Sequence, residues 1–313
     1  MVEEEAEEII EIRHKPRPKF LVSEIEYFAH FKIKPESDIV GNQSATVRQN
    51  LIREIKLRFP IVLKENSNLI GAFGYRHEQF KFSNTTDPEY PFFYRFDDKS
   101  LKRITFRLFW KKDLARERFF FSYLNSSFNS DRPAFGFLHK QLKLSVAGIY
   151  GKKLSEFKLI GGGVSFGYDF GEPAIFPMFM LNNDFSENWG YELLLPKSAQ
   201  LRYSPNGKNH FFGTLDVQGA SYYLQDSVFA GYNELEFRRS SVRLSTTYER
   251  EIHDWLWVGI TGGYRYPINI FISEPRERRS DAIMVINANP TFYFNFSIFM
   301  VPPRALLDRG IGD

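Results

Sequence analysis

From Ser23 to about Met300 the chain alternates apolar and polar side chains with a period of two, in runs mostly ten to eighteen residues long. That period is the signature of β-strands with unlike faces. The run length decides between the two kinds of sheet that show it. Strands in soluble proteins cluster near five or six residues, whereas a tilted strand needs about nine to eleven to cross a bilayer. The reading is therefore all-β, an antiparallel up-and-down transmembrane β-barrel. Composition agrees: 33 Phe and 16 Tyr put aromatics at 17% of the 313 residues, yet mean hydropathy is only −0.35, so apolar and polar mass are interleaved. No stretch approaches the roughly 18 apolar residues of a membrane-spanning helix.

Loop lengths alternate as a barrel requires. The connection Glu65 to Asn68 is short, Asn84 to Ser100 long, Asp113 to Glu117 short, Asn129 to Lys140 long and Lys152 to Ser155 short. Short periplasmic turns and longer external loops produce that rhythm. The runs number thirteen, and a barrel with both ends in the periplasm needs an even count. Pro196 interrupts the run 188 to 204, where it would remove a ladder hydrogen bond. A turn near Pro196 to Ser198 brings the count to about fourteen strands, or to twelve if the first run lies outside the wall.

Alternation also sorts the faces. Ile25, Tyr27, Ala29, Phe31 and Ile33 fall on one side of the first run, and Leu51, Ile55, Leu57, Phe59, Ile61 and Leu63 on one side of the second. The lipid-facing set further includes Ile104, Phe106, Leu108 and Trp110, then Phe119, Phe121 and Tyr123, then Leu144, Val146 and Tyr150, and later Ile260, Tyr264 and Tyr266. Tyrosine and tryptophan recur toward run ends, as in interfacial aromatic girdles. The opposite faces carry Lys56, Arg58, Arg76, Arg103, Arg107, Lys143, Arg202, Arg243 and Arg265 against Glu54, Glu78, Glu192, Asp216 and Glu249. A lumen accommodates such charges, because water or ionic partners satisfy them. Its basic bias points to small anionic solutes, although the same side chains pairing with one another would plug a narrow barrel.

The last run places Met284, Ile286, Ala288, Pro290, Phe292, Phe294, Phe296, Ile298 and Met300 on one face. It resembles the aromatic terminal strand of outer-membrane barrels, which implies the outer-membrane insertion machinery as a partner, but thirteen residues follow Met300 here. Leu194 to Tyr203, LLPKSAQLRY, with Gly219-Ala220-Ser221-Tyr222-Tyr223 and the Gly161-Gly162-Gly163-Val164 strand, resembles an uncharacterised outer-membrane β-barrel family of Bacteroidetes-type bacteria, a domain of unknown function. The resemblance extends over about residues 23 to 300 and implies architecture and location, with no catalytic residues to transfer.

Chemistry is sparse. Without cysteine there is no thiolate nucleophile, thiolate metal site or disulfide. The six histidines stand singly, without metal-ligand spacing, so no cofactor or metal is expected. Gly163-Val164-Ser165-Phe166-Gly167 matches the hydrolase elbow pattern, but alternation runs straight through it where the elbow demands a strand, a turn and a helix. A rim hydrolase built on His77 with Glu78 is the weakest of the functional readings. The near-balanced charge of +3 offers no footprint for nucleic acid. The loop carrying Tyr90, Phe92, Phe93, Tyr94 and Phe96 either stacks against external partners or folds back as a cap. Residues 1 to 22, acidic and then proline-containing, read as a mobile periplasmic arm without secretory-signal features, with any signal removed or the start misassigned. Residues 23 to 300 form the barrel and 301 to 313 a tail. The functional expectation is a bacterial outer-membrane barrel that passively passes small anionic solutes, in contact with outer-membrane lipid and lipopolysaccharide. The alternative is a non-conducting structural or partner-binding barrel.

Overall fold

The computed structural model describes residues 15–304 other than 88, 99, 132–137, 225–228, 230, 233 and 276. Most of the N-terminal arm and of the tail thus lies outside the described residues. The strands are β1 (Leu21–Phe28), β2 (Phe31–Glu36), β3 (Ala45–Lys64), β4 (Ser67–Ser83), β5 (Ser100–Leu114), β6 (Arg118–Ser130), β7 (Leu142–Lys153) and β8 (Lys158–Gly167). They continue as β9 (Ala174–Asp184), β10 (Trp189–Leu195), β11 (Ser198–Asn206), β12 (Asn209–Leu224), β13 (Leu235–His253), β14 (Leu256–Ser273), β15 (Met284–Ala288) and β16 (Thr291–Met300). Two short helices, α1 (Pro91–Asp98) and α2 (Leu138–Gln141), lie in connections. No described helix is long and apolar enough to cross a membrane; the strands do it.

All sixteen segments belong to one antiparallel sheet that closes on itself. The first and last strands close it: Leu21 pairs with Met300 and Phe28 with Tyr293, and the same register resumes at Ile33 with Ala288. Across the gap Ala29 N–H donates to Phe292 O and Asn289 N–H to Lys32 O, both at 2.9 Å. β1 with β2 is therefore one wall strand kinked at residues 29 and 30, and β15 with β16 another kinked at 289 and 290, so the wall has fourteen strands. The turn at Pro196 and Lys197 separates β10 from β11 and supplies the even count. Closure joins the first and last strands and so removes the open edges at the two ends of the sheet, as a sheet in hydrocarbon requires.

Both described termini lie at the end with the short turns, which is the periplasmic end. Ile55, Leu57, Phe59, Phe106, Leu144, Ile260, Phe292 and Phe294 face outward and are exposed. This lipid-facing belt on a closed barrel makes the chain an outer-membrane protein.

Three groups depart from the alternation. Phe119 and Tyr123 are buried and, with Phe121, point inward, because β6 presents Phe120, Ser122 and Leu124 to the outside. Run-length aromaticity masks which parity is inside when both faces carry rings. The second group is Phe31 and Ile33, and the third Met284 and Ile286; all are buried, although they share sequence parity with the outward Ile25 and Phe292. The kinks reverse the pleat, and β3 has an irregularity at the neighbouring level, between Val47 and Gln49. Above this level the inside of the wall is apolar.

That upper interior is filled by α1. Pro91 occupies the first helical position, where its missing N–H is harmless. Phe92, Phe93 and Phe96 are buried on one helix face, while Tyr94 is exposed on the other. Phe96 stacks on Phe92 with ring centroids 4.6 Å apart and meets Phe237 edge-on at 5.4 Å. The Tyr90 hydroxyl donates to Gly41 O at 2.8 Å, and burial pushes its pKa up to about 12, so it remains a donor. Asp97 Oδ1 accepts from Phe82 N–H at 2.9 Å. The external end narrows further where β6 touches β12 across the barrel: Ser130 pairs with Tyr223, and Asn129 Nδ2 donates to Ser221 O at 2.9 Å. Gly219 sits so close to Phe170 and Gly171 that a Cβ would approach the Phe170 carbonyl carbon to 2.0 Å.

Phe96→Ala should destabilise the cap by about 3 kcal/mol, the usual effect of truncating a buried phenylalanine. Amide hydrogen exchange should then accelerate across residues 91–97 and stay unchanged in β5 and β13. Unaltered protection of α1 would show that Phe96 does not anchor it.

Candidate functional site

Below the aromatic cap lies an internal chamber of about 480 Å³. Nine lysines and arginines line it, against the four carboxylates of Glu54, Glu78, Asp169 and Asp216. Strand alternation aims them inward, and neighbouring strands in register bring them level: Glu54 of β3 pairs with Arg76 of β4, which pairs with Arg103 of β5.

The partners of these cations differ. Lys56 contacts Glu24 at 2.5 Å and Glu54 at 3.6 Å, and Arg76 contacts Glu54 at 3.2 Å. Arg243 pairs with Glu26 at 2.6 Å and lies 4.1 Å from the Tyr293 ring centroid. Arg202 pairs with Asp184 at 2.7 Å, nearer the periplasmic end, and exposed Arg58 lines the periplasmic mouth. By contrast, Arg103 donates to the Tyr222 hydroxyl at 3.2 Å, Arg107 to Asn125 Oδ1 at 3.0 Å, and Arg265 rests between the Phe28 and Phe31 rings at 4.1 and 4.7 Å. Among the described residues none of these three has an ion-pair partner. Desolvated cations without carboxylates create a positive potential that a bound anion would relieve.

The partners of Glu78 and Lys143, both on the lumen-facing parity, escaped the sequence reading. Glu78, fully buried, is held by both Arg239 Nη atoms and by Asn50 Nδ2 at 2.9 Å. Lys143 of β7 reaches Glu236 at 2.5 Å, with Arg238 on the other oxygen at 2.6 Å. Strand parity marks such residues as facing one way but cannot say which strands stand opposite across a lumen.

The hydrolase readings find no support in the geometry. His77 lies on the outward face between Arg53 and Lys102, while Glu78 points inward, so the two never meet. Ser165 is buried in β8 and donates to Asp169 Oδ2 at 2.7 Å, beside the Tyr123 hydroxyl. Burial alone would raise the Asp169 pKa; Lys197, at 3.3 Å, together with hydrogen bonds from Tyr123 and Ser165, holds it below the usual carboxylate value. An ionised carboxylate already occupied by three donors leaves Ser165 without a histidine base. Among the described residues no three His, Asp or Glu side chains converge as a metal site.

At the periplasmic mouth a second cavity of about 500 Å³ is lined by the stretch Lys15-Pro16-Arg17-Pro18-Lys19. Arg17 bonds Asp254 at 3.1 Å, Glu251 at 3.2 Å and Pro302 O at 2.8 Å. Lys19 bonds Glu249 and covers the Phe299 ring, and Lys15 reaches Asp184 at 3.6 Å. Alternating basic residues and prolines keep this segment extended while its side chains meet acidic rim residues.

The Asp254 carboxyl, which burial would raise, is held below its ordinary 3.8 by the Arg304 backbone N–H and by the Arg17 and Arg304 guanidiniums. A depressed carboxylate pKa means that the contact of Arg17 with Asp254 is complete at neutral pH and lost only as the pH falls below 3.8. A spin label at Lys15→Cys should be immobile at about pH 5 and gain mobility only as the pH falls well below 3.8. Mobility already present at the higher pH would refute an ionic tether.

No family model matches the chain, and no curated protein matches it. Among solved structures, an outer-membrane channel from Pseudomonas putida F1 superposes with a TM-score of 0.39 and 9% identity, covering 92% of this chain and 98% of the other. The Pseudomonas putida toluene transporter TodX gives 0.41 and 9%, covering 91% and 90%. The Escherichia coli outer-membrane protease OmpT gives 0.31 and 9%, covering 90% and 97%.

Proposed function

We propose that the barrel passes small anionic solutes across the outer membrane, holding them in the arginine-lined chamber, with the aromatic cap as external barrier and the Lys15 to Lys19 segment as periplasmic barrier. The observation that carries this reading is the trio Arg103, Arg107 and Arg265, which face the chamber with no carboxylate at ion-pair distance among the described residues. Guanidiniums left with neutral or aromatic neighbours retain donors for a carboxylate, phosphate or sulfate group. A solute entering such a lumen trades its hydration for fixed charge of opposite sign, while cations meet a barrier.

The closed cap supports a second reading, a barrel that binds an anion or a partner without conducting, since three buried phenylalanines shut the external end. One experiment separates the two. Residues 85–98 are replaced by a Gly/Ser linker, and the refolded barrel is examined in a planar bilayer under a salt gradient. Heat-shifted gel mobility checks folding. Passage predicts discrete conductance steps with anion preference, and a shift of the reversal potential toward cation selectivity when Arg103→Glu and Arg107→Glu are added. Selectivity that ignores both substitutions would remove the arginines from the pathway. A folded barrel that stays silent, even with the arm deleted, would leave only the second reading.

A further inference from the structure

We propose that the outer wall carries a binding site for the phosphate groups of a lipid headgroup in the external leaflet, formed by Arg53, His77 and Lys102. The site is independent of the lumen and of what passes through it. Arg53 of β3 pairs with His77 of β4, and His77 pairs with Lys102 of β5, so the three occupy one cross-strand row. They share the outward face with the next row toward the periplasm, Ile55, Tyr75 and Ile104, and with the one beyond it, Leu57, Phe73 and Phe106. Adjacent strands stand about 4.8 Å apart, so the row places three donors along about 10 Å of wall.

Its height is what gives the row a ligand. Along β3 the outward side chains Ile61, Phe59, Leu57 and Ile55 are exposed apolar residues, and Arg53 is the first charge above them; an irregularity between Pro60 and Val62 takes Leu63 off this row. From Ile61 to Arg53 the strand rises about 26 Å, or about 20 Å along the membrane normal at a tilt near 40°, most of the height of the roughly 25 Å apolar band of such barrels. The row therefore stands where hydrocarbon gives way to headgroups, on the side opposite the termini. Among the described residues it also lacks acidic partners at ion-pair distance: Arg53 donates to Gln79 Oε1 at 3.3 Å, His77 and Lys102 form no ion pair, and the neighbouring Glu78 is turned into the barrel toward Arg239. Three basic side chains without counter-charges, immediately above a lipid-facing belt, match an anionic headgroup in charge and in depth. Tyr75 and Ile104 would lie against the acyl chains beneath it.

The test uses the full chain refolded in zwitterionic detergent, with lipopolysaccharide carrying phosphorylated lipid A as probe and its dephosphorylated form as comparison. Bound lipid per barrel is counted by native mass spectrometry. The wild-type barrel should retain the phosphorylated form about tenfold more strongly. Arg53→Gln with Lys102→Gln should abolish most of that preference, while Arg250→Gln, an exposed cation near the periplasmic turn of β13, should leave it unchanged. Equal retention of the two lipids by the wild type, a readout that depends on no variant, would overturn the site. So would a preference that survives the double substitution or falls as far with Arg250→Gln.

Discussion

Every backbone N–H and C=O that enters hydrocarbon must be bonded within the protein, because an unpaired group there costs several kcal/mol. The ladder between the N- and C-terminal strands meets this requirement, and the rest of the structure follows from it. The pairing runs in one register from Leu21 with Met300 to Glu36 with Val285, carried through the kinks by hydrogen bonds of Ala29 and Asn289. Two strands that bend at the same height can keep their bonds while reversing their pleat. Had only one been kinked, the seam would have opened at mid-barrel.

The reversal divides the interior into two storeys. Below the kinks the lumen is polar, and burial is tolerated because most charges find a counter-charge, as Arg243 finds Glu26 and Arg202 finds Asp184. Above them apolar side chains turn inward and would face water, were α1 not seated among them. Phe92, Phe93 and Phe96 cover Phe82, Phe237 and their neighbours, so the cap is held by the same hydrophobic effect that stabilises a soluble core. The chamber lies between this dry plug and the ionically held segment at the periplasmic mouth, closed by two different kinds of interaction. Aromatic packing is indifferent to salt and pH, whereas the arm contacts of Arg17 and Lys19 respond to both.

Much of this was legible beforehand. Alternation over long runs identified the barrel, and Pro196 marked the turn that makes the strand count even. The inward aim of Arg103 and Arg107 follows from their parity with Thr105 against Phe106 and Leu108. Phe121 and Tyr123 were misread because β6 carries rings on both faces, and Met284 and Ile286 because a kink shifts the phase of a pattern that stays periodic in the sequence. The pairing of Glu78 with Arg239, 161 residues apart, was out of reach, since parity says which way a side chain points and not what stands across the lumen.

The sequence by itself determined that the chain crosses a membrane with strands, which residues face lipid over most of the wall, and that the lumen is predominantly basic. These are properties of period and composition, and they are local. Tertiary structure decided which cations are neutralised, which remain without counter-charge, and that an aromatic loop closes the external end. Those outcomes depend on contacts between strands on opposite sides of a closed barrel, whose positions are set by strand tilt, stagger and two matched kinks rather than by any neighbouring residue.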